Sequence, residues 1–202
     1  MRSVFLILAT STLATSALAT PALADPPGPG ALIAAISGDW NGDDMLDAVT
    51  LTRAEDGMAD LTVYRGGGIY GLDPVLTLPA VVFAGPMAGQ APSFAPRSDS
   101  SFVLQTEQIG IGRTPWSAGL TIAWRDGGFV VAGYDYSFYD RLDLSHYGGC
   151  SVNLLTSRYE LTLGPGDDAA EIHREGTTEA ASFPLASLTE SYAPPICMDL
   201  FR

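Results

Sequence analysis

Hydrophobic and polar positions alternate through most of the chain with a period of two. In Ala48–Arg53, Val49 and Leu51 fall on one side and Thr50 and Thr52 on the other. Leu61 and Val63 repeat the pattern in Leu61–Arg65, and Phe102 and Leu104 do so in Ser101–Gln108. Leu120, Ile122 and Trp124 share a face opposite Thr121, Ala123 and Arg125. Successive side chains of a strand point to opposite faces, so this alternation predicts half-buried strands. Val152–Leu155, Tyr159–Leu163 and Ser182–Leu185 are shorter runs of the same kind. Ala31–Ile36 fits a strand or a helical turn. Pro74–Ala84 is strand-like, but Pro79 excludes a central position because it cannot donate to a ladder.

Turn residues separate these runs. Glu55-Asp56-Gly57 predicts a hairpin between the second and third runs, and Asp126-Gly127-Gly128 predicts one leading into Phe129–Phe138. Gly66–Gly68 is a break, and Gly164–Asp168 is a further turn. Gly85–Ser100, rich in Gly, Pro, Ala and Ser, is expected to be a flexible internal loop. Pro194 and Pro195 are expected to end regular structure. No helical period is sustained. The expected fold is mainly β, an antiparallel β-sandwich or partly open barrel with little helix, formed by one β-rich domain over residues 25–202.

The N-terminal 24 residues stand apart from this pattern. One positive charge at Arg2 precedes an apolar run from Val4 to Ala9, weakening through small residues to Ala19. Pro21 and then Ala22-Leu23-Ala24 follow. Charge, apolar stretch and small-residue site, in that order, predict a cleavable secretory signal over residues 1–24. The apolar part is too short to span a bilayer, and no later segment is apolar enough to do so. Stable membrane insertion after cleavage is therefore not expected. The expected location is periplasmic or secreted.

Charge narrows the partners. The chain carries 10 Lys and Arg against 23 Asp and Glu, a net charge of −13, and every one of the basic residues is Arg. Loss of Arg2 with the leader would make the product more negative still. Such a chain lacks the basic footprint that nucleic-acid binding needs. Cations and basic proteins remain compatible with it.

The cysteines are Cys150 and Cys197. An even count in an oxidising compartment predicts one disulfide, pinning the C-terminal tail to the body. A redox role would call for a closer arrangement such as C-x-x-C.

Asp39, Asn41, Asp43 and Asp47 occupy positions 1, 3, 5 and 9 of a short loop, with the carbonyl of Met45 at position 7. A hard dication takes several oxygens at about 2.3–2.6 Å, and alternate side chains of a coiled loop can converge to supply them. The text DWNGDDMLDAVTL resembles the calcium loops of FG-GAP and VCBS-type repeats, over residues 38–51. The resemblance implies that Asp39, Asn41, Asp43, Asp47 and the Met45 carbonyl hold a structural Ca2+ between two strands. The usual Gly at position 6 is replaced by Asp44, at a site that often needs positive φ. Only one copy is present, so the propeller built by such repeats is not implied. Thr50 at position 12 disfavours an EF-hand. Residues 129–156 are also similar to small exported bacterial proteins, a resemblance that implies no activity.

Other candidates are weaker. Asp135, Ser137 and His146 could be read as a triad, but there is no G-x-S-x-G elbow and a solvated strand face accounts for them. His146 and His173 lack the clustering of a zinc site. Tyr134, Tyr136 and Phe138 form a stripe better explained by packing than by ligand stacking. Gly110–Ser117 is expected as a loop whose Arg113 and Trp116 would suit a contact site. The expected function is an exported binding or accessory protein with one calcium-binding loop and a protein or glycan ligand. The alternatives are a carboxylate-dependent hydrolase and an acidic inhibitor of a cationic enzyme.

Overall fold

The computed structural model describes residues 31–67, 71–85, 90–166 and 170–201. Residues 1–24, the expected secretory signal, lie outside the described residues. Two antiparallel sheets make up the structure. The first has the order β1 (Leu32–Gly38), β2 (Asp47–Arg53), β3 (Met58–Gly66) and β4 (Leu72–Phe83).

The second sheet runs from β5 (Ser93–Ser98) through β6 (Ser101–Gln108), β7 (Trp116–Arg125) and β8 (Gly128–Tyr139) to β9 (Tyr147–Asn153), β10 (Arg158–Leu163) and β11 (Ile172–Thr177). The two-residue strand β12 (Phe183–Pro184) pairs with Val130 and Val131 of β8, beyond the point where β9 ends. Strands β1 and β5 approach each other where the sheets meet. The mainly-β sandwich expected from the alternation is the observed architecture.

The alternation decides which side chains meet. Val49, Leu51, Leu61 and Val63 of the first sheet are buried, as are Phe102, Leu104, Ile122, Val131, Val152 and Leu161 of the second, in one core. Each such burial contributes about 1.5–3 kcal/mol relative to an exposed side chain. Arg125 pairs with Gly128 across a two-residue turn, with φ of 50° at Asp126 and 82° at Gly127. That is the double positive φ a tight hairpin needs to match strand twist.

Three expectations need correction, and one strand, β11, was not foreseen. Within Gly85–Ser100, Ser93–Ser98 is a strand, not a loop; residues 86–89 lie outside the described residues. β5 is an edge strand with a register shift between Pro96 and Ser98, which lets it hold a proline. Strand β9 starts at Tyr147, well before Val152, because Gly148 and Gly149 are strand residues here. A Cβ on Gly148 would come within 2.5 Å of the Phe138 ring, so the glycine permits close packing and marks no turn. Strand β11 has no alternation because every residue of it is exposed at the sheet edge. After Pro194, Pro195–Phe201 forms a 3-10 helix, which starts on a proline whose missing N–H costs nothing at a helix start.

The disulfide joins Cys150 of β9 to Cys197 in this helix, with Cα atoms 5.6 Å apart. Both cysteines are buried. Bridges of this kind persist in oxidising compartments. No helix among the described residues is long and apolar enough to cross a membrane.

Candidate functional site

The acidic loop between β1 and β2 is organised by its own carboxylates. Asp39 accepts hydrogen bonds from the backbone N–H groups of Gly42, Asp43 and Asp44 at 2.8, 3.1 and 2.9 Å. Asn41 accepts from the Asp43 N–H and donates its amide to the Asp43 carboxylate. Asp43 accepts from the Met45 N–H. Gly42 and Asp44 take φ of 74° and 63°, so Asp44 fills a left-handed position that glycine would fill more easily. Arg65 on β3 reaches to 3.7 Å from Asp43.

Trp40 ties the loop to the core. Its ring is buried, with its centroid 4.7 Å from that of Phe102 and 5.8 Å from that of Phe129. Asp47, the first residue of β2, is fully buried. Its Oδ1 accepts from the Gly66 N–H at 3.0 Å, and its Oδ2 has no partner. Burying a carboxylate oxygen without a hydrogen bond is costly, and a cation is one group that removes the cost. Among the described residues, no group of three or more His, Cys, Asp or Glu side chains is disposed to hold a metal. A metal here would draw on Asn41 and the Met45 carbonyl as well as on the carboxylates.

A second feature lies between the sheets. A cleft of about 430 Å3 opens between β4, the inner face of β6–β8 and the C-terminal segment 189–198. Phe83, Trp116, Tyr134, Tyr136 and Tyr192 line it together with Leu120. The rings meet at angles: Phe83 and Trp116 are tilted by 50° at 5.4 Å, and Tyr134 and Tyr192 are edge-to-face at 6.1 Å. Trp116 and Tyr136 lie nearly parallel at 6.3 Å. Burial pushes the phenol of Tyr134 well above its ordinary value, and the neighbouring Tyr136 and Tyr192 add to this. Burial likewise raises Tyr136 and Tyr192. The phenols therefore stay protonated and neutral over the physiological range.

Tyr192 precedes the bridged Cys197 by five residues. Cys197 fastens the C-terminal helix to β9, and the Tyr192 ring packs on Phe183 at 4.7 Å. The tail thus becomes one wall of the cleft.

On its outer face, the second sheet carries a polar groove of about 690 Å3. Ser117 and Ser137 pair across its floor, and Ser151 donates to Asp135 at 2.7 Å. Glu107, Glu160 and Arg97 also line it. No relay forms there: His146 sits beside the ring of Phe138, on a different face from Ser137. His173 instead contacts Thr162 and Glu160 across β10 and β11.

No family model, no curated protein and no solved structure matches the chain.

The expected contact loop divides in two. Arg113 is exposed but ion-paired with Asp140 at 2.6 Å. That hydrogen-bonded pair holds the Asp140 carboxyl down at about 2, against partial desolvation and with help from the Leu142 N–H. Arg141 donates to the carbonyls of Gly112 and Ile109, so the two loops at this end are laced together. Trp116 belongs to β7 and is half-buried in the cleft. The stripe Tyr134–Phe138 is a packed face as expected, with Tyr136 only partly covered. Sequence reasoning missed Phe83, Trp40 and Tyr192. Phe83 and Tyr192 lie on segments that no local pattern connects to β7 and β8.

Proposed function

We propose that the protein is an exported binding protein that takes a small ligand in the cleft between its sheets, with one calcium ion stiffening the loop Asp39–Asp47. The aromatic cleft carries this reading. Ligand sites are typically concave, about 300–1,000 Å3, mostly apolar, and furnished with a few polar groups. The cleft has that size and five aromatic residues in its lining, three of them tyrosines. Its rings come from both sheets and from the disulfide-fastened tail, so it is formed before any ligand arrives.

The calcium part is supported by the spacing of Asp39, Asn41, Asp43 and Asp47, and by the unpartnered Oδ2 of Asp47. In this reading the ion does no chemistry on a substrate. It neutralises crowded carboxylates and fixes the entry into β2. Export is supported by the charged, apolar and small-residue segments of the leader and by the Cys150–Cys197 bridge.

The test of the binding reading is a ligand-observed NMR screen of small ring-bearing and branched-alkyl compounds against the purified protein, repeated with Trp116→Leu. Binders that disappear in the variant, while its melting temperature stays within a few degrees, support it. A screen without binders, or with binders indifferent to Trp116→Leu, overturns it.

A further inference from the structure

The geometry points to an alkylated ammonium cation, of the quaternary or methylated-amine class, as the ligand of the aromatic cleft. This rests on the reading of the cleft as the ligand site and goes beyond it in naming the chemistry.

The charge of the lining is one-sided. Glu190 is its only charged residue among those described, and no Arg or His joins it. Glu190 is exposed at the cleft margin. The protein as a whole carries −13, a field that concentrates cations at its surface. An anionic ligand would meet repulsion from both sources and find no cationic partner in the lining.

The apolar part of the lining selects among cations. The ring face of Trp, Tyr or Phe carries negative potential, and a cation within about 6 Å of its centre is attracted to it. Here the rings of Phe83, Trp116, Tyr136 and Tyr192 come from four separate segments, with Phe83 tilted by 50° from Trp116 and Trp116 nearly parallel to Tyr136. A compact, strongly hydrated ammonium pays heavily to leave water for such a surface. A methylated ammonium spreads its charge over apolar methyl groups and fits both the rings and the aliphatic side chains of Leu120 and Val81. The phenols, being neutral, add no charge to the lining.

The experiment is a pair of calorimetric titrations of the purified protein at matched ionic strength. One uses choline, and the other its uncharged isostere 3,3-dimethyl-1-butanol. Choline is expected to bind at least about fivefold more tightly, the margin a desolvated cation–π site provides. Glu190→Gln, a surface change that leaves folding intact, should weaken choline severalfold and leave the isostere unchanged. Equal binding of the two, or tighter binding of the isostere, overturns the cation inference and leaves the cleft as a small-ligand site. Absence of binding by either compound overturns the cation inference too. If the NMR screen also finds no binder, the cleft reading falls with it.

Discussion

Asp47 and Gly66 are joined by a buried hydrogen bond of 3.0 Å that uses only one of the two carboxylate oxygens. The bond links the end of the acidic loop to the last residue of β3. Gly66 is glycine for a local reason: a Cβ there would come within 2.8 Å of the Leu46 carbonyl and the Met45 side chain. The loop is therefore pressed onto β3, and the second oxygen of Asp47 is buried there without a partner.

Calcium should raise the melting temperature of the protein. At 100 times its dissociation constant the ion would stabilise the fold by about 2.7 kcal/mol. Scanning calorimetry with excess calcium and with chelator checks this. Asp39→Ala and Asp43→Ala should remove the calcium-dependent shift. Equal melting with and without the ion in the unmodified protein would sink the calcium proposal.

Replacing Asp47 by Ala should destabilise the fold even in chelator. It leaves the Gly66 N–H without its acceptor, a loss of about 1–3 kcal/mol for a buried donor. Relief of the unpartnered Oδ2 offsets part of that. Urea denaturation in chelator measures the balance. Stability equal to or above that of the unmodified protein would show that the orphaned oxygen outweighs the hydrogen bond.

Acid should weaken the link between the loops at Arg113 and Asp140. The folded pKa of Asp140 is lowered to about 2, below its ordinary value of 3.8. A group depressed in the folded state favours folding most above its unfolded pKa. That contribution declines as pH falls below about 4 and is gone once pH passes below about 2. The melting-temperature gap between the unmodified protein and Asp140→Asn should be constant above about pH 5 and shrink towards pH 2. A gap that widens on acidification would contradict the assignment.

Removing the disulfide with Cys150→Ala and Cys197→Ala should cost about 4 kcal/mol by chain entropy, for residues 47 positions apart. The same change should loosen Tyr192 and the cleft wall. Proteolysis should then cut first in the tail, after residue 185. Unchanged protection of the tail would mean that Leu188 and Leu200, both buried, hold it without the bridge.

Gly148→Ala should destabilise the protein by about 1–3 kcal/mol, the usual cost of overpacking. Its Cβ would press on the Phe138 ring and lie 3.1 Å from Leu200. Thermal denaturation measures the loss. A neutral effect would show that the Phe138 ring can swing aside.

The period-two alternation by itself determined the strands around Val49, Leu61, Phe102, Ile122 and Leu161, because a strand half-buried in a sandwich writes its burial directly into the sequence. Asp126-Gly127 determined its turn, because few residues accept two successive positive φ values. The cysteine pair was legible from its even count and the expectation of export. The local geometry of the acidic loop was legible in part: Asp44 adopts the positive φ that its position calls for. Strands β5 and β11 were not legible, since edge strands need not alternate when one or both faces meet water. The strand role of Gly148 was not legible, because its reason is the closeness of the Phe138 ring. The cleft was decided only by the tertiary structure. Phe83, Trp116, Tyr136 and Tyr192 are distant in sequence, and only the pairing of the sheets and the fastening of the tail bring their rings around one space.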